Sequence, residues 1–227
     1  RSILKIGNPL LFMDDMMVGS DLFLYNYVSP GTATEQMAVL VNGFINVFKG
    51  VKSRPDRFGN FNQGIIINNM RARDWYSFFS NAFFTELNKP GNIIAFDMVM
   101  EENYFYDDFW VTDVENYLDK INTLGANGKG FLFVVSDDER LHDPNSPFVE
   151  DLWLWLHLVA NNNTYVYINY AYDEPMTDYA VYRAPLGLPL EAAYKVGNTW
   201  HRRYQTGEII FNTSSGKLDA IRFVPAL

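Results

Sequence analysis

With 227 residues, 48% of them hydrophobic and 16% aromatic, the chain can bury a substantial core and is not disordered. A net charge of −9 argues against nucleic-acid partners, which need clustered Lys and Arg, and the densest basic spot is only Arg202–Arg203. No apolar run approaches the eighteen or so residues of a membrane-spanning helix, and the absence of cysteine removes disulfides, Cys-ligated zinc and thiol catalysis.

In chain order, Leu10–Asp14 is a short apolar run ending in carboxylates, which predicts a buried strand. Leu22–Val28 is a second extended piece or part of a loop. Thr34–Lys49 has Met37, Val41, Phe44, Ile45 and Phe48 at helical spacing, with Gly50 as the expected stop. A Gly-, Asn- and Pro-rich loop over Arg54–Gln63 leads to a β-branched run at Gly64–Asn68. Arg73–Asn88 predicts a helix with Trp75, Phe79, Ala82, Phe83 and Leu87 on one face. Asn92–Met100 then predicts a buried strand, with Ile93–Asp97 as its core.

Val111–Leu124 predicts a helix closed by Gly125, and Gly130–Val135 an apolar strand that empties into Ser136-Asp-Asp-Glu139. Pro147–Asn161 is helical, with proline at its start. Thr164–Tyr170 is a Tyr/Ile/Val strand followed by Ala171-Tyr-Asp-Glu174. After a turn at Leu186–Pro189, strands are expected near Thr199–Gln205, Glu208–Asn212 and Ala220–Val224, with turns at Gly207 and Ser214–Gly216. No linker or repeat interrupts the chain, so residues 1–227 are expected to form a single (β/α)-barrel-like domain.

Apolar strands joined by helices imply a parallel sheet covered on both faces. No Gly-rich phosphate loop follows any strand, which favours a (β/α) barrel with a short β-rich C-terminal tail over a nucleotide-binding open sheet. No cofactor and no metal are expected. The acid cluster Asp137-Asp-Glu139 lacks the spacing of a calcium loop, which leaves a cation-dependent hydrolase as the weakest reading. The three histidines, His142, His157 and His201, are too scattered to assemble a zinc site or a Ser-His-Asp triad.

Carboxylates recur after the expected strands: Asp14 and Asp15, Asp97, Asp137 to Glu139, Asp173 and Glu174. In a (β/α) barrel the active site lies at the C-terminal strand ends. Glycoside hydrolysis uses two carboxylates across a sugar, about 5–5.5 Å apart for retention or about 6.5–9.5 Å for inversion. The tyrosines and tryptophans near the same ends suit sugar stacking. The candidate catalytic residues are therefore Asp97, Asp137 and Asp138. The candidate substrate-binding residues are Glu102 (also an outside choice for the acid partner), Tyr104, Trp110, Tyr170 and Tyr172.

Two stretches carry a family resemblance. Asn69-Met-Arg-Ala-Arg-Asp-Trp75-Tyr-Ser-Phe-Phe79 and Gly91-Asn-Ile-Ile-Ala-Phe-Asp97 resemble a helix start and the strand after it in the hypothetical TIM-barrel glycosyl hydrolases. Leu186-Gly-Leu-Pro-Leu190 and Trp200-His-Arg-Arg203-Tyr-Gln-Thr-Gly207-Glu-Ile-Ile-Phe-Asn212 are similar to that family's ending. The resemblance spans roughly residues 60 to 215 and places the family's fourth-strand aspartate on Asp97. Asn69 and Asn92 stand where the family has Asp, and Thr213 where it has Pro.

The resemblance implies a polysaccharide or oligosaccharide partner, and an extracellular or cell-surface location is expected. The chain starts at Arg1, and the first barrel strand is not found before Ile3, so a fragment is expected. The alternative is a non-catalytic structural or sugar-binding module derived from such a barrel.

Overall fold

A computed structural model of the chain describes residues 10–13, 33–54, 64–68, 84–101, 114–135, 139–169, 175, 177–183, 186–215 and 220–226. The fold is mixed α/β, with a parallel sheet and a separate antiparallel sheet. Strands β1 (Leu10–Met13), β2 (Gly64–Asn68), β3 (Met98–Glu101), β4 (Gly130–Val135) and β5 (Thr164–Ile168) follow chain order in the first sheet. The chain divides into two compact units, Arg1–Glu102 with Thr123–Leu132, and Asn103–Asn122 with Phe133–Leu227.

In the first unit, β1 pairs parallel with β2 and β2 with β3. Helix α1 spans Ala33–Lys52. Val41, Ile45 and Phe48, at the spacing that puts side chains on one helix face, are buried, while Val39 and Val47 on the other face are exposed. Gly50 does not stop this helix. It takes no left-handed conformation, and a Cβ there would meet open space, so the helix runs on to Lys52.

The expected strand at Ile93–Asp97 is corrected. Residues 84–87 are helical, and Ile93–Ala95 form a single 3-10 turn against α1. The strand proper starts at Met98. Ile93, Ala95 and Phe96 are apolar because they are buried in this turn, while Ile94 between them is 63% exposed. Asn92 ties the turn down, donating its amide to the Glu86 carbonyl at 2.9 Å.

Helix α2 (Val114–Ala126) sends Tyr117, in the second unit, inward. Its ring meets Trp155 of helix α3 (Pro147–Val159) edge-on at 5.1 Å, and Phe133 of β4 at 6.3 Å. All three rings are fully buried. Helix α2 runs past Gly125, and Gly128, at φ 68°, supplies the left-handed turn that follows it.

The antiparallel sheet of β6 (Tyr194–Val196), β7 (Thr199–Tyr204), β8 (Gly207–Asn212) and β9 (Ile221–Pro225) packs on α3. Strict alternation turns Trp200, Arg202, Tyr204, Ile209 and Phe211 inward. Gly207 is required by close approach. A Cβ there would stand 2.3 Å from the Val224 carbonyl oxygen and 2.9 Å from the Pro225 Cα.

Candidate active site

In the first unit the one described candidate is Asp97, and it stands before β3 instead of after a strand. Its carboxylate accepts hydrogen bonds from the Lys52 ammonium at 2.8 Å and from the Ile65 backbone N–H at 2.8 Å. Its own N–H donates to the Ile65 carbonyl, and its carbonyl accepts from Gly130, the first residue of β4. Asp97 thus links the starting ends of three parallel strands.

Lys129 completes this corner, donating to the Phe96 carbonyl at 2.7 Å. Burial lowers the pKa of Lys129; the Asp97 carboxylate opposes that fall and Lys52 reinforces it. The corner gathers two ammonium groups around one carboxylate and staples the sheet at the starting ends of its strands.

Glu102 follows Glu101, the last residue of β3, and Asp137 and Asp138 follow Val135, the last residue of β4. Glu102, Tyr104, Trp110, Asp137, Asp138, Tyr170 and Tyr172 lie outside the described residues. Asp97 is level with the start of β4, whose first residue, Gly130, donates its N–H to the Asp97 carbonyl.

The second unit shows how the chain leaves β4 and β5 at their C-terminal ends. Asn169, fully buried just beyond β5, donates its N–H to the Val135 carbonyl at 3.0 Å. Its side-chain oxygen accepts from the Thr177 N–H at 3.0 Å. The Tyr179 hydroxyl donates to the Leu141 carbonyl at 2.9 Å, and the Tyr182 hydroxyl to the Ile168 carbonyl at 3.0 Å. Burial pushes both hydroxyls above the ordinary phenol range, so they stay protonated and donate.

Residues 177–183 are therefore a strap holding the segment after β4 to the end of β5. Beside the strap is a cavity of about 350 Å³ lined by Pro144, Asn145, Ser146, Val149, Glu150, Ala180 and Val181. The sequence reading missed Asn169 and the strap tyrosines. A polar residue directly after the Tyr/Ile/Val run was the available signal for Asn169.

Further back, Arg202 of β7 is buried and aims its guanidinium at the C-terminal end of α3. It donates to the His157 carbonyl at 2.6 Å and also to that of Ala160. The Tyr204 hydroxyl donates to the same His157 carbonyl at 2.7 Å, and burial pushes its pKa up to about 12. The His157 ring donates from Nδ1 to the Trp153 carbonyl at 2.8 Å, and burial lowers its pKa from the ordinary 6.5. These groups hold structure together and are not among the residues that line the cavity.

Among the described residues no three His, Cys, Asp or Glu side chains come together as a metal site, and no helix is long and apolar enough to cross a membrane.

The sequence pattern that defines hypothetical glycosyl hydrolase family 15 matches residues 12–208. No curated protein matches the chain. Among solved structures, the chain is similar to a GH30 endoxylanase from Clostridium papyrosolvens C71, at 10% identity over 83% of this chain and 47% of that one. The TM-score of 0.38 is too low for an inference to rest on it. The chain spans about half the length of that enzyme.

Proposed function

The chain belongs to hypothetical glycosyl hydrolase family 15, and on that premise we propose that it is a carbohydrate-active domain that hydrolyses a polysaccharide or oligosaccharide with two carboxylates. The observation that carries this reading is the family match over residues 12–208. In this reading β1 to β5 are consecutive staves of a (β/α) barrel, residues 1–227 act as one domain, and the domain works outside the cell or at its surface.

The catalytic carboxylates follow the C-terminal ends of strands. Asp137 and Asp138 after β4 supply one of the pair and Glu102 after β3 the other. Tyr104, Trp110, Tyr170 and Tyr172 stack on the sugar rings. Asp97 does not fit this role: it precedes its strand and its carboxylate is held by Lys52 and Ile65. It is assigned instead to holding the lower edge of the sheet.

One carboxyl group acts as the acid, protonating the glycosidic oxygen as the bond to the anomeric carbon breaks. The other is ionised, and either attacks that carbon or takes a proton from the attacking water. The test is a polysaccharide panel run on the unmutated protein and on Asp137→Asn, Asp138→Asn, Glu102→Gln and Asp97→Asn. Loss of cleavage in Glu102→Gln and in at least one of the β4 variants, with folding intact, is expected. Cleavage lost in Asp97→Asn alone would overturn the assignment. Sugar binding without cleavage by the unmutated protein would favour the non-catalytic module.

A further inference from the structure

The cavity beside the strap has features that the family match does not assign. It is built by chain leaving the C-terminal ends of β4 and β5, Asn145 to Glu150 on one side and Ala180–Val181 on the other. Its lining includes apolar Val149, Ala180 and Val181 and polar Asn145, Ser146 and Glu150. Among the described residues, none of those three polar side chains makes a hydrogen bond or ion pair, and Ser146 does not use its hydroxyl to cap α3. The walls are already joined: the Ala180 N–H donates to the Pro144 carbonyl at 3.4 Å, and the Tyr179 hydroxyl to the Leu141 carbonyl at 2.9 Å.

We propose that this cavity is a subsite for one uncharged glycosyl unit of the substrate, an inference that rests on the carbohydrate-active reading and adds to it where the sugar binds and which charge it carries. A pyranose ring has an apolar face of C–H groups and a rim of hydroxyls. The lining offers both kinds of partner, Val149, Ala180 and Val181 for the face and an amide, a hydroxyl and a carboxylate for the rim. At about 350 Å³ it is at the small end of ligand pockets, which suits one ring and its substituents. The Glu150 carboxylate accepts from sugar hydroxyls and repels a uronate or sulfated unit, with no Lys or Arg among the described lining residues to offset it.

The experiment measures binding of neutral oligosaccharides of glucose, xylose, mannose and galactose, and of oligogalacturonate as the anionic probe. It uses the full chain by calorimetry and by ligand-observed NMR. Ala180→Trp fills the cavity from an exposed position, and Ser146→Ala and Glu150→Gln alter exposed or half-buried polar groups without changing the packed core. The unmutated protein is expected to bind at least one neutral probe and not oligogalacturonate. Ala180→Trp should weaken that binding at least about tenfold, and Glu150→Gln about tenfold, while admitting the anionic probe.

Neutral-sugar binding untouched in all three variants overturns the subsite and leaves the carbohydrate-active reading standing, since the sugar then binds elsewhere. Preference of the unmutated protein for oligogalacturonate overturns the charge assignment and with it the subsite as stated. A protein that neither binds nor cleaves any saccharide in the panel overturns both readings together.

Discussion

Replacing Asp97 separates a structural staple from a catalytic acid, because the two roles predict opposite pairs of results. The Asp97 carboxylate receives the Lys52 ammonium at 2.7–2.8 Å and the Ile65 N–H at 2.8 Å. Its side chain is 44% exposed and that of Lys52 23%, so the ion pair is partly screened and contributes about 1 kcal/mol. In Asp97→Asn the amide oxygen still accepts from Ile65, but a charge-assisted bond becomes a neutral one, with a further loss of about 0.5–1 kcal/mol. The expected loss is about 1.5–2 kcal/mol. Asp97→Ala also leaves the N–H of the fully buried Ile65 without this acceptor, raising the loss to about 3 kcal/mol.

Urea unfolding of the unmutated protein, Asp97→Asn, Asp97→Ala, Lys52→Met and the double variant Lys52→Met/Asp97→Asn checks these values. The double variant should return a coupling of about 1 kcal/mol. Hydrolysis per folded molecule should survive in Asp97→Asn. A variant as stable as the unmutated protein that no longer cleaves any polysaccharide would refute the staple and restore Asp97 as a catalytic residue.

Three further outcomes follow from the second unit. Arg202→Met leaves the terminal carbonyls of α3 without their buried donor and should lower stability by about 2–4 kcal/mol, read by denaturant midpoint; a loss below about 0.5 kcal/mol would show the clamp to be idle. Gly207→Ala forces a Cβ onto the backbone of Val224 and Pro225 and should destabilise by about 3 kcal/mol, with loss of protected amides in β8 and β9 by hydrogen exchange as the readout. His157 is held neutral by burial, its folded pKa lying below the unfolded 6.5. Its contribution is therefore complete above about pH 6.5 and is lost as pH falls from there through the folded value, because the unfolded chain takes up the proton first. His157→Gln should flatten the stability profile across that acid window, and an unchanged slope would count against the assignment.

How far the sequence disclosed the molecule depends on why each residue is apolar. Gly64–Asn68 and Gly130–Val135 were readable to the residue, because each is a β-branched or aromatic run opened by glycine and buried in the sheet. Ile93 to Phe96 looked the same, yet the exposure of Ile94 between buried neighbours belongs to a turn tucked under α1. A short apolar run does not separate the two cases, and the error moved Asp97 from one end of a strand to the other. The edge strand Tyr194–Val196 went unseen because all three residues are exposed and carry no burial signal. Of the candidate site residues only Asp97 lies among the described ones, so the aromatic and acidic candidates stand as proposals on their positions after β3, β4 and β5.

The tail motif that prompted the family resemblance tells something about what such motifs encode. Trp200 to Asn212 is the β7–β8 hairpin: Trp200 and Phe211 are core, Arg202 and Tyr204 bind the end of α3, and Gly207 makes room for β9. None of these residues needs a substrate to account for it. A pattern kept by packing identifies the fold, and the match over residues 12–208 agrees with the resemblance at that level. In the proposed reading the chemistry belongs to the strand ends, near which Asn169 bonds to Val135 and Thr177, Tyr179 to Leu141 and Tyr182 to Ile168. Substitutions in the hairpin should therefore change stability and leave turnover per folded molecule unaltered, whereas substitutions at the strand ends should do the reverse. That contrast is the one by which the hydrolase and the sugar-binding module part company, since a module would show no turnover for either class to change.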